Sequence, residues 1–248
     1  MRFSTIDEVL DKLDQIIDAS VKENNYLGLF AWVYRRTTAE IRSAILNGEF
    51  EDNARMEAFD VMFANYYLDA YDLNRLNRMI SQCWQVAFDA RHERLSLLQH
   101  ILLGMNAHIN LDLGVTAARM MDGSDLALLR NDFMKVNDIL ARIVDELQTK
   151  LGKVSPLMFL LDISGRTDEK LINFSMAEAR KQSWRLAEVL SLAPAPKRQG
   201  LVYEADQVTA MLAARIQKPT LRLTRWVIRL MIRFEKKDIG EIIRKFTG

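Results

Sequence analysis

The chain has 248 residues, of which 49% are hydrophobic and 27% are charged, as in an ordinary globular protein of one large domain or two small ones. A single cysteine excludes an internal disulfide bond, and no apolar run is long enough to predict a transmembrane helix. The net charge of +1 is unevenly divided, because residues 215–248 carry ten Lys and Arg against three Asp and Glu, and residues 1–214 carry 24 against 30. We therefore expect a cytoplasmic protein with a basic C-terminal end.

Helix signals recur along the whole chain, and strand alternation of useful length does not occur. Thr5 with Glu8, and Thr37 with Glu40, have the spacing of capping boxes at helix N-termini, and Asp52 is the expected cap of a further helix. The patterns predict helices over about 5–19, 26–34, 37–47, 53–71, 76–91, 95–121, 124–151 and 167–192, with two or three more at the C-terminal end.

Residues 193–200, Ala-Pro-Ala-Pro-Lys-Arg-Gln-Gly, have the composition of a linker. The sequence therefore predicts an all-α fold, a single bundle of about nine helices around a buried central helix that contains histidines. In this prediction residues 1–192 form the core, and residues 201–248 form basic helices that dock on it.

The three histidines of the chain lie on or beside the apolar stretch 97–114. On a helical wheel, His100, Gly104, His108 and Asp112 form one stripe of a helix that is apolar on nearly all other sides. Imidazoles and carboxylates are costly to bury without partners, so this stripe is the predicted functional site. His92 precedes the buried stretch and lies off the stripe. Because Gly104 has no side chain, we expect a hollow there that holds a water, an ion or a substrate group.

Two interpretations of the stripe stay open. In the first, the protein is a hydrolase-like enzyme in which His100, His108 and Asp112 are catalytic, either as a metal-free acid–base set or with a divalent metal held by these residues and a distant carboxylate such as Asp60. In the second, the protein is a non-catalytic module that binds a small or lipid-like molecule or a partner, and the stripe is a structural hydrogen-bond network. Further polar candidates for the pocket are Asn106, Asn110, Tyr67 and Arg180.

Residues 99–113 read Gln-His-Ile-Leu-Leu-Gly-Met-Asn-Ala-His-Ile-Asn-Leu-Asp-Leu. This stretch resembles the signature QH-x-LLGMNAHIN-x-DL of a family of uncharacterised bacterial all-helical proteins. Weaker blocks at 63–70, 84–88 and 179–184 extend the resemblance over roughly residues 30–190. The resemblance implies a polar set and no particular activity; that set is His100, Asn106, His108, Asn110 and Asp112.

Residues 221–234 are predicted to form a basic amphipathic helix with arginines on one face and apolar side chains on the other. Contact of residues 221–237 with a membrane surface is one interpretation. The simpler one is preferred, in which the apolar face packs on the bundle and the arginines pair with its acidic surplus or stay solvated. No nucleic-acid-binding motif is present, so no nucleic-acid partner is expected. A small-molecule substrate or ligand is the partner that both interpretations of the stripe allow.

Overall fold

The computed structural model describes residues 2–158 and 176–247, which are all-helical and contain no strand. No helix of this described part is long and apolar enough to cross a membrane. The helix predicted from Thr167 is described only from Met176 onward. The helices are α1 (Ile6–Glu23), α2 (Leu27–Leu46), α3 (Asn53–Arg75), α4 (Gln82–Asp89), α5 (Leu97–Ala107), α6 (Leu113–Met120), α7 (Arg130–Gly152), α8 (Met176–Leu192), α9 (Ala195–Gln217), α10 (Arg222–Phe234) and α11 (Ile239–Thr247).

Two of the three predicted N-terminal caps are confirmed. Thr5 caps α1 through a capping box, in which its Oγ1 accepts from the Glu8 amide at 3.2 Å, and Asp52 caps α3 through its side chain. The cap predicted at Thr37 is wrong, because α2 continues through this position as one helix. The Thr37 hydroxyl donates to the Val33 carbonyl one turn back, at 3.0 Å, which satisfies it inside the helix.

The predicted linker over residues 193–200 is mostly helical. Helix α9 begins at Ala195, so only Ala193 and Pro194 lie between α8 and α9. Proline is tolerated in the first turn of a helix because its missing N–H would have no intrahelical partner there, and Pro196 occupies that turn. Helix α9 packs against α4 and α5, so this part of the chain contacts the core.

Helix α10 contacts the rest of the protein through a narrow apolar stripe that contains Val227 and Met231. The expectation that its whole apolar face packs on the bundle is therefore only partly met. Leu223, Trp226 and Phe234 are 54%, 59% and 55% exposed. The apolar residues of α10 are spread over a wider part of its circumference than a single line of contacts can bury.

The histidine helix is defined here as the continuous helical segment of α5, a five-residue π turn (His108–Asp112) and α6. It begins with a capping box, in which the Ser96 hydroxyl accepts from the Gln99 amide and the Gln99 side chain accepts from the Ser96 amide. Most of its residues are buried. Helix α5 contacts α2, α4 and α9, and α6 contacts α3 and α8, so the predicted site residues face several different helices.

Candidate functional site

Helix α8 approaches the histidine helix closely at the end of the π turn. A Cβ atom on Gly114 would come within 2.6 Å of the Ser183 carbonyl oxygen, so only glycine permits this approach. The approach brings the Ser183 hydroxyl into a hydrogen bond with the carbonyl of Ile109 inside the π turn. Single π turns occur frequently at functional sites, and this one contains His108, Asn110 and Asp112 of the predicted polar set.

His108, Asp112 and Trp84 form a buried hydrogen-bond network. The Nδ1 of His108 lies 3.0 Å from Oδ2 of Asp112, and the indole Nε1 of Trp84 donates to the same oxygen at 2.9 Å. With Asp112 ionised, Nδ1 carries the proton and Nε2 keeps its lone pair. The sequence predicted the His–Asp pair from its four-residue spacing. It gave no sign that Trp84, on another helix, completes the network.

The His108 ring lies inside a cluster of aromatic side chains. It stacks on Phe63 with ring centroids 3.6 Å apart and meets Tyr34 edge-on at 4.5 Å. Burial lowers the pKa of His108 and raises that of Asp112, because the interior disfavours both charges, and their mutual hydrogen bond opposes both shifts. His108 Nε2 is buried and has no hydrogen-bond partner among the described residues. Burial therefore favours an uncharged imidazole, and one of its two ring nitrogens has no partner in the described part of the chain.

The hollow expected at Gly104 is filled by the ring of Phe30. A Cβ atom on Gly104 would come within 2.7 Å of Phe30 Cδ2 and 2.8 Å of Phe30 Cβ, which is closer than side chains pack. Phe30 also meets Tyr67 edge-on, with ring centroids 5.0 Å apart. The Phe30 ring thus occupies the space that a side chain at position 104 would take, and no room for a ligand is left there. The sequence could not distinguish these outcomes, because Phe30 lies 74 residues away.

A small cavity of about 60 Å³ lies beside His108, lined by Tyr34, Arg180 and aliphatic side chains of α2 and α7. Arg180 is buried, and burial lowers its pKa to about 9. Its Nε donates to Asn137 Oδ1 at 2.6 Å, and it donates a second hydrogen bond to the Phe133 carbonyl. The structure therefore brings two of the predicted polar residues, His108 and Arg180, to one cavity.

His100 lies two turns from His108, at another place in the core. Its ring stacks on Tyr26 with centroids 4.5 Å apart and an interplanar angle of 12°. Burial lowers the pKa of His100 to about 4, and its Nε2 has no hydrogen-bond partner in the described part of the chain. The two histidines of the stripe therefore do not share one site.

Asp60 and Tyr67 are buried on α3. Burial raises the pKa of Asp60 to about 7, and it also raises the pKa of Tyr67. Within residues 2–158 and 176–247, no three His, Cys, Asp or Glu side chains are arranged to hold a metal ion. His108 and Asp112 are in contact, but His100 and Asp60 do not join them in a set of metal ligands.

Asn106 and Asn110 face a different region from His108 and Asp112. They line the floor of an open groove of about 690 Å³ between α8 and α9. Asn106 is fully buried, its Nδ2 donates to the Thr209 carbonyl at 2.9 Å, and its Oδ1 accepts from Asn110 Nδ2 at 3.1 Å. The walls carry aliphatic side chains, among them Leu186, Val189, Leu201, Val208, Leu212 and Ile216, and four charged ones, Glu178, Arg185, Glu204 and Arg215.

Sequence analysis named both asparagines but missed the groove. One of its two walls is helix α9, which begins in the segment that was predicted to be a linker. The hydropathy of α9 also gives little signal, because its apolar residues are spread around the helix and several of them are exposed.

The fold and these two regions define an all-helical protein with a buried His–Asp–Trp network and a separate open groove. The chain belongs to a family of unknown function, DUF5995, whose profile matches residues 6–219. This confirms the resemblance to an uncharacterised family that the sequence indicated. Neither the comparison with curated proteins nor that with solved structures finds a match.

Proposed function

We propose that this protein is a non-catalytic binding module for a small, largely apolar molecule, and that the molecule occupies the groove between α8 and α9. In this proposal the helices form a bundle around the histidine helix, which supplies the polar floor of the site. The observation that carries it is the pair Asn106 and Asn110, two amides that line a groove of about 690 Å³ whose exposed lining is mostly apolar. Sites for small molecules commonly measure about 300–1,000 Å³ and combine apolar walls with few polar groups.

The hydrogen bonds of the two asparagines indicate the chemistry of the ligand. Asn106 is held by Thr209 and by Asn110, which leaves it no freedom to turn. Asn110 is half-buried, and its Oδ1 accepts no hydrogen bond from the described residues. A ligand with an apolar body and a hydrogen-bond donor, such as a hydroxyl or an amide N–H, fits this arrangement. Arg185 and Arg215 line the groove together with Glu178 and Glu204, so its charged residues favour neither sign of ligand charge.

Blocking the groove tests this proposal. Ala205→Trp places a large ring in the groove, and Ala214→Trp, on the same helix outside the groove, is the matched control. The apolar fluorescent probe 1-anilinonaphthalene-8-sulfonate is expected to bind the wild type and Ala214→Trp, and to bind Ala205→Trp at least about tenfold more weakly. Far-UV circular dichroism checks that both variants fold. Equal binding of the probe by both variants would exclude the groove.

Mass spectrometry of molecules extracted from the purified protein tests the role of the amide floor. A small molecule is expected to co-purify with the wild type and to be absent from Ala205→Trp. Asn110→Leu keeps the size of the side chain and removes its amide, so we expect it to retain the fluorescent probe and to lose the co-purifying molecule. Retention of that molecule by Asn110→Leu would contradict recognition through the amide.

One observation favours a second candidate, acid–base catalysis at His108. Its Nε2 is buried and unpartnered, its ring borders the cavity of about 60 Å³, and Asp112 orients it through Nδ1. An imidazole held in this way is suited to take a proton from a molecule that reaches the cavity. The test is conversion of the extracted molecule by the wild type. His108→Gln can keep a hydrogen bond to Asp112 through its amide, so it should abolish conversion and leave binding in the groove intact. Unchanged conversion in this variant would exclude the role.

A further inference from the structure

Helix α10 has three distinct faces. One face is buried against the core, and the other two are exposed and adjoin each other, since successive residues of a helix are about 100° apart. The buried face is Thr224, Val227 and Met231; the exposed apolar face is Leu223, Trp226 and Phe234; and the exposed basic face is Arg222, Arg225, Arg229 and Arg233.

Helix α10 is attached to the rest of the protein by a small apolar cluster and by a buried carboxylate that follows it. Val227 and Met231 pack with Leu98 of the histidine helix. Just beyond the end of α10, the buried Glu235 carboxylate accepts from the Leu97 amide at 3.2 Å and from the Ser155 hydroxyl at 2.8 Å. A carboxylate at a helix N-terminus is a favourable contact, so this anchor is stable. The two exposed faces therefore point outward together.

The charges on α10 have no ion-pair partners among the residues that the structure describes. None of its four arginines forms an ion pair with the described residues, and the helix contains no acidic residue. The basic and the apolar faces are contiguous, and the apolar one carries a tryptophan. A basic face beside large apolar side chains is the pattern of helices that lie in the plane of a membrane interface, where tryptophan is enriched.

We propose that helix α10 binds the surface of an anionic phospholipid membrane. Leu223, Trp226 and Phe234 enter the boundary between headgroups and acyl chains, and the arginines contact lipid phosphates. A membrane fits better than an acidic protein or a nucleic acid, because its phosphates can contact the basic face while its acyl chains contact the apolar face along the whole helix. This inference does not depend on the proposed function of the groove.

Tryptophan fluorescence provides a direct test with the full chain. Of the four tryptophans, Trp32, Trp84 and Trp184 are at most 8% exposed, so a change of emission on adding vesicles reports on Trp226. We expect a blue shift and co-sedimentation with vesicles of phosphatidylglycerol and phosphatidylcholine, weaker at high salt, and little binding to phosphatidylcholine alone. Absence of binding to the anionic vesicles at low salt would overturn the proposal.

Matched variants separate this contact from general charge attraction. Each basic residue near an anionic membrane contributes roughly a fivefold gain in affinity, so Arg225→Gln/Arg229→Gln should weaken partitioning about 25-fold. Lys135→Gln/Lys197→Gln removes two exposed charges elsewhere and should change it little. Equal weakening by both pairs would overturn the proposal.

The apolar face has its own control. Trp226→Ala should weaken partitioning roughly tenfold, whereas Met79→Ala, at a residue that is 95% exposed, should have no effect.

Sedimentation velocity without vesicles tests whether a second copy of the chain covers the exposed apolar face of α10. A dimer that Trp226→Ala dissociates, or binding of duplex DNA with no shift of the Trp226 emission on vesicles, would refute membrane binding.

Discussion

The replacement Gly104→Ala distinguishes a filled from an empty position in the middle of the histidine stripe. If the position were hollow, alanine would stabilise the helix by about 1 kcal/mol relative to glycine. The structure predicts the opposite result. The new methyl group would lie 2.7 Å from Phe30 Cδ2, and the Phe30 ring cannot retreat freely because it packs against Tyr67 and Trp84.

The expected magnitude follows from two opposing contributions. Overpacking of a well-packed core costs about 1–3 kcal/mol. The propensity gain of about 1 kcal/mol offsets part of this cost, so Gly104→Ala should lower the free energy of unfolding by up to about 2 kcal/mol. For a chain of this size, a loss of about 2 kcal/mol lowers the melting temperature by roughly 4–8 °C, which is the largest change expected.

Gly200→Ala is the matched control, because Gly200 lies inside α9 with no atom within 4 Å of an added Cβ. We expect this variant to be slightly more stable than the wild type, with the two alanine variants separated by about 1–3 kcal/mol. Thermal melts followed by circular dichroism measure the difference. Phe30→Leu should cost less in the Gly104→Ala background than in the wild type, because the smaller side chain relieves the overlap. Equal stability of Gly104→Ala and Gly200→Ala would refute the packing described here.

Two further predictions concern the buried polar groups. The pKa of His100 falls from its ordinary 6.5 to about 4, so below pH 6.5 the unfolded chain binds a proton that the folded protein does not. His100 thus destabilises the fold increasingly as the pH falls from 6.5 to 4, by up to about 3 kcal/mol. His100→Phe keeps a ring against Tyr26 and cannot titrate, so its stability relative to the wild type should rise by that amount between pH 7 and pH 4; a constant difference would contradict the shift. Trp84→Phe removes the hydrogen bond to Asp112 and should cost about 1.5–3 kcal/mol in urea unfolding. This cost should shrink in the Asp112→Leu background, and an equal cost in both would show that the bond contributes nothing.

The all-α class was predictable because it depends on local signals. Caps such as Thr5 and Asp52, and apolar residues at three- and four-residue spacing, act within one or two turns of the chain. The errors occurred where a local signal had two outcomes. A threonine can begin a helix or bond back within one, as Thr37 does, and a proline-rich segment can be a linker or a helix start, as at Pro194 and Pro196.

The site was only partly predictable, because its residues meet through tertiary packing. The pairs His108–Asp112 and Asn106–Asn110 lie on one helix, and their spacing of four residues predicts their contacts. Trp84 and Phe30 come from distant segments, and nothing in the local pattern indicates that one donates to Asp112 and the other fills the space at Gly104. Partners of this kind require the three-dimensional arrangement.

The two polar pairs lie on opposite sides of the histidine helix, because they are offset by two residues, or about 200°. Whatever fixes the rotation of the helix on one side therefore fixes it on the other. Rotation would take Asp112 away from Trp84 and leave buried polar groups without partners, at about 1–3 kcal/mol for each group. In the proposed binding module, the His–Asp–Trp network thus fixes the rotation of the histidine helix and so holds Asn110 at the floor of the groove. An aliphatic pair in place of His108 and Asp112 would pack as well and would not specify the rotation, since apolar contacts are non-directional.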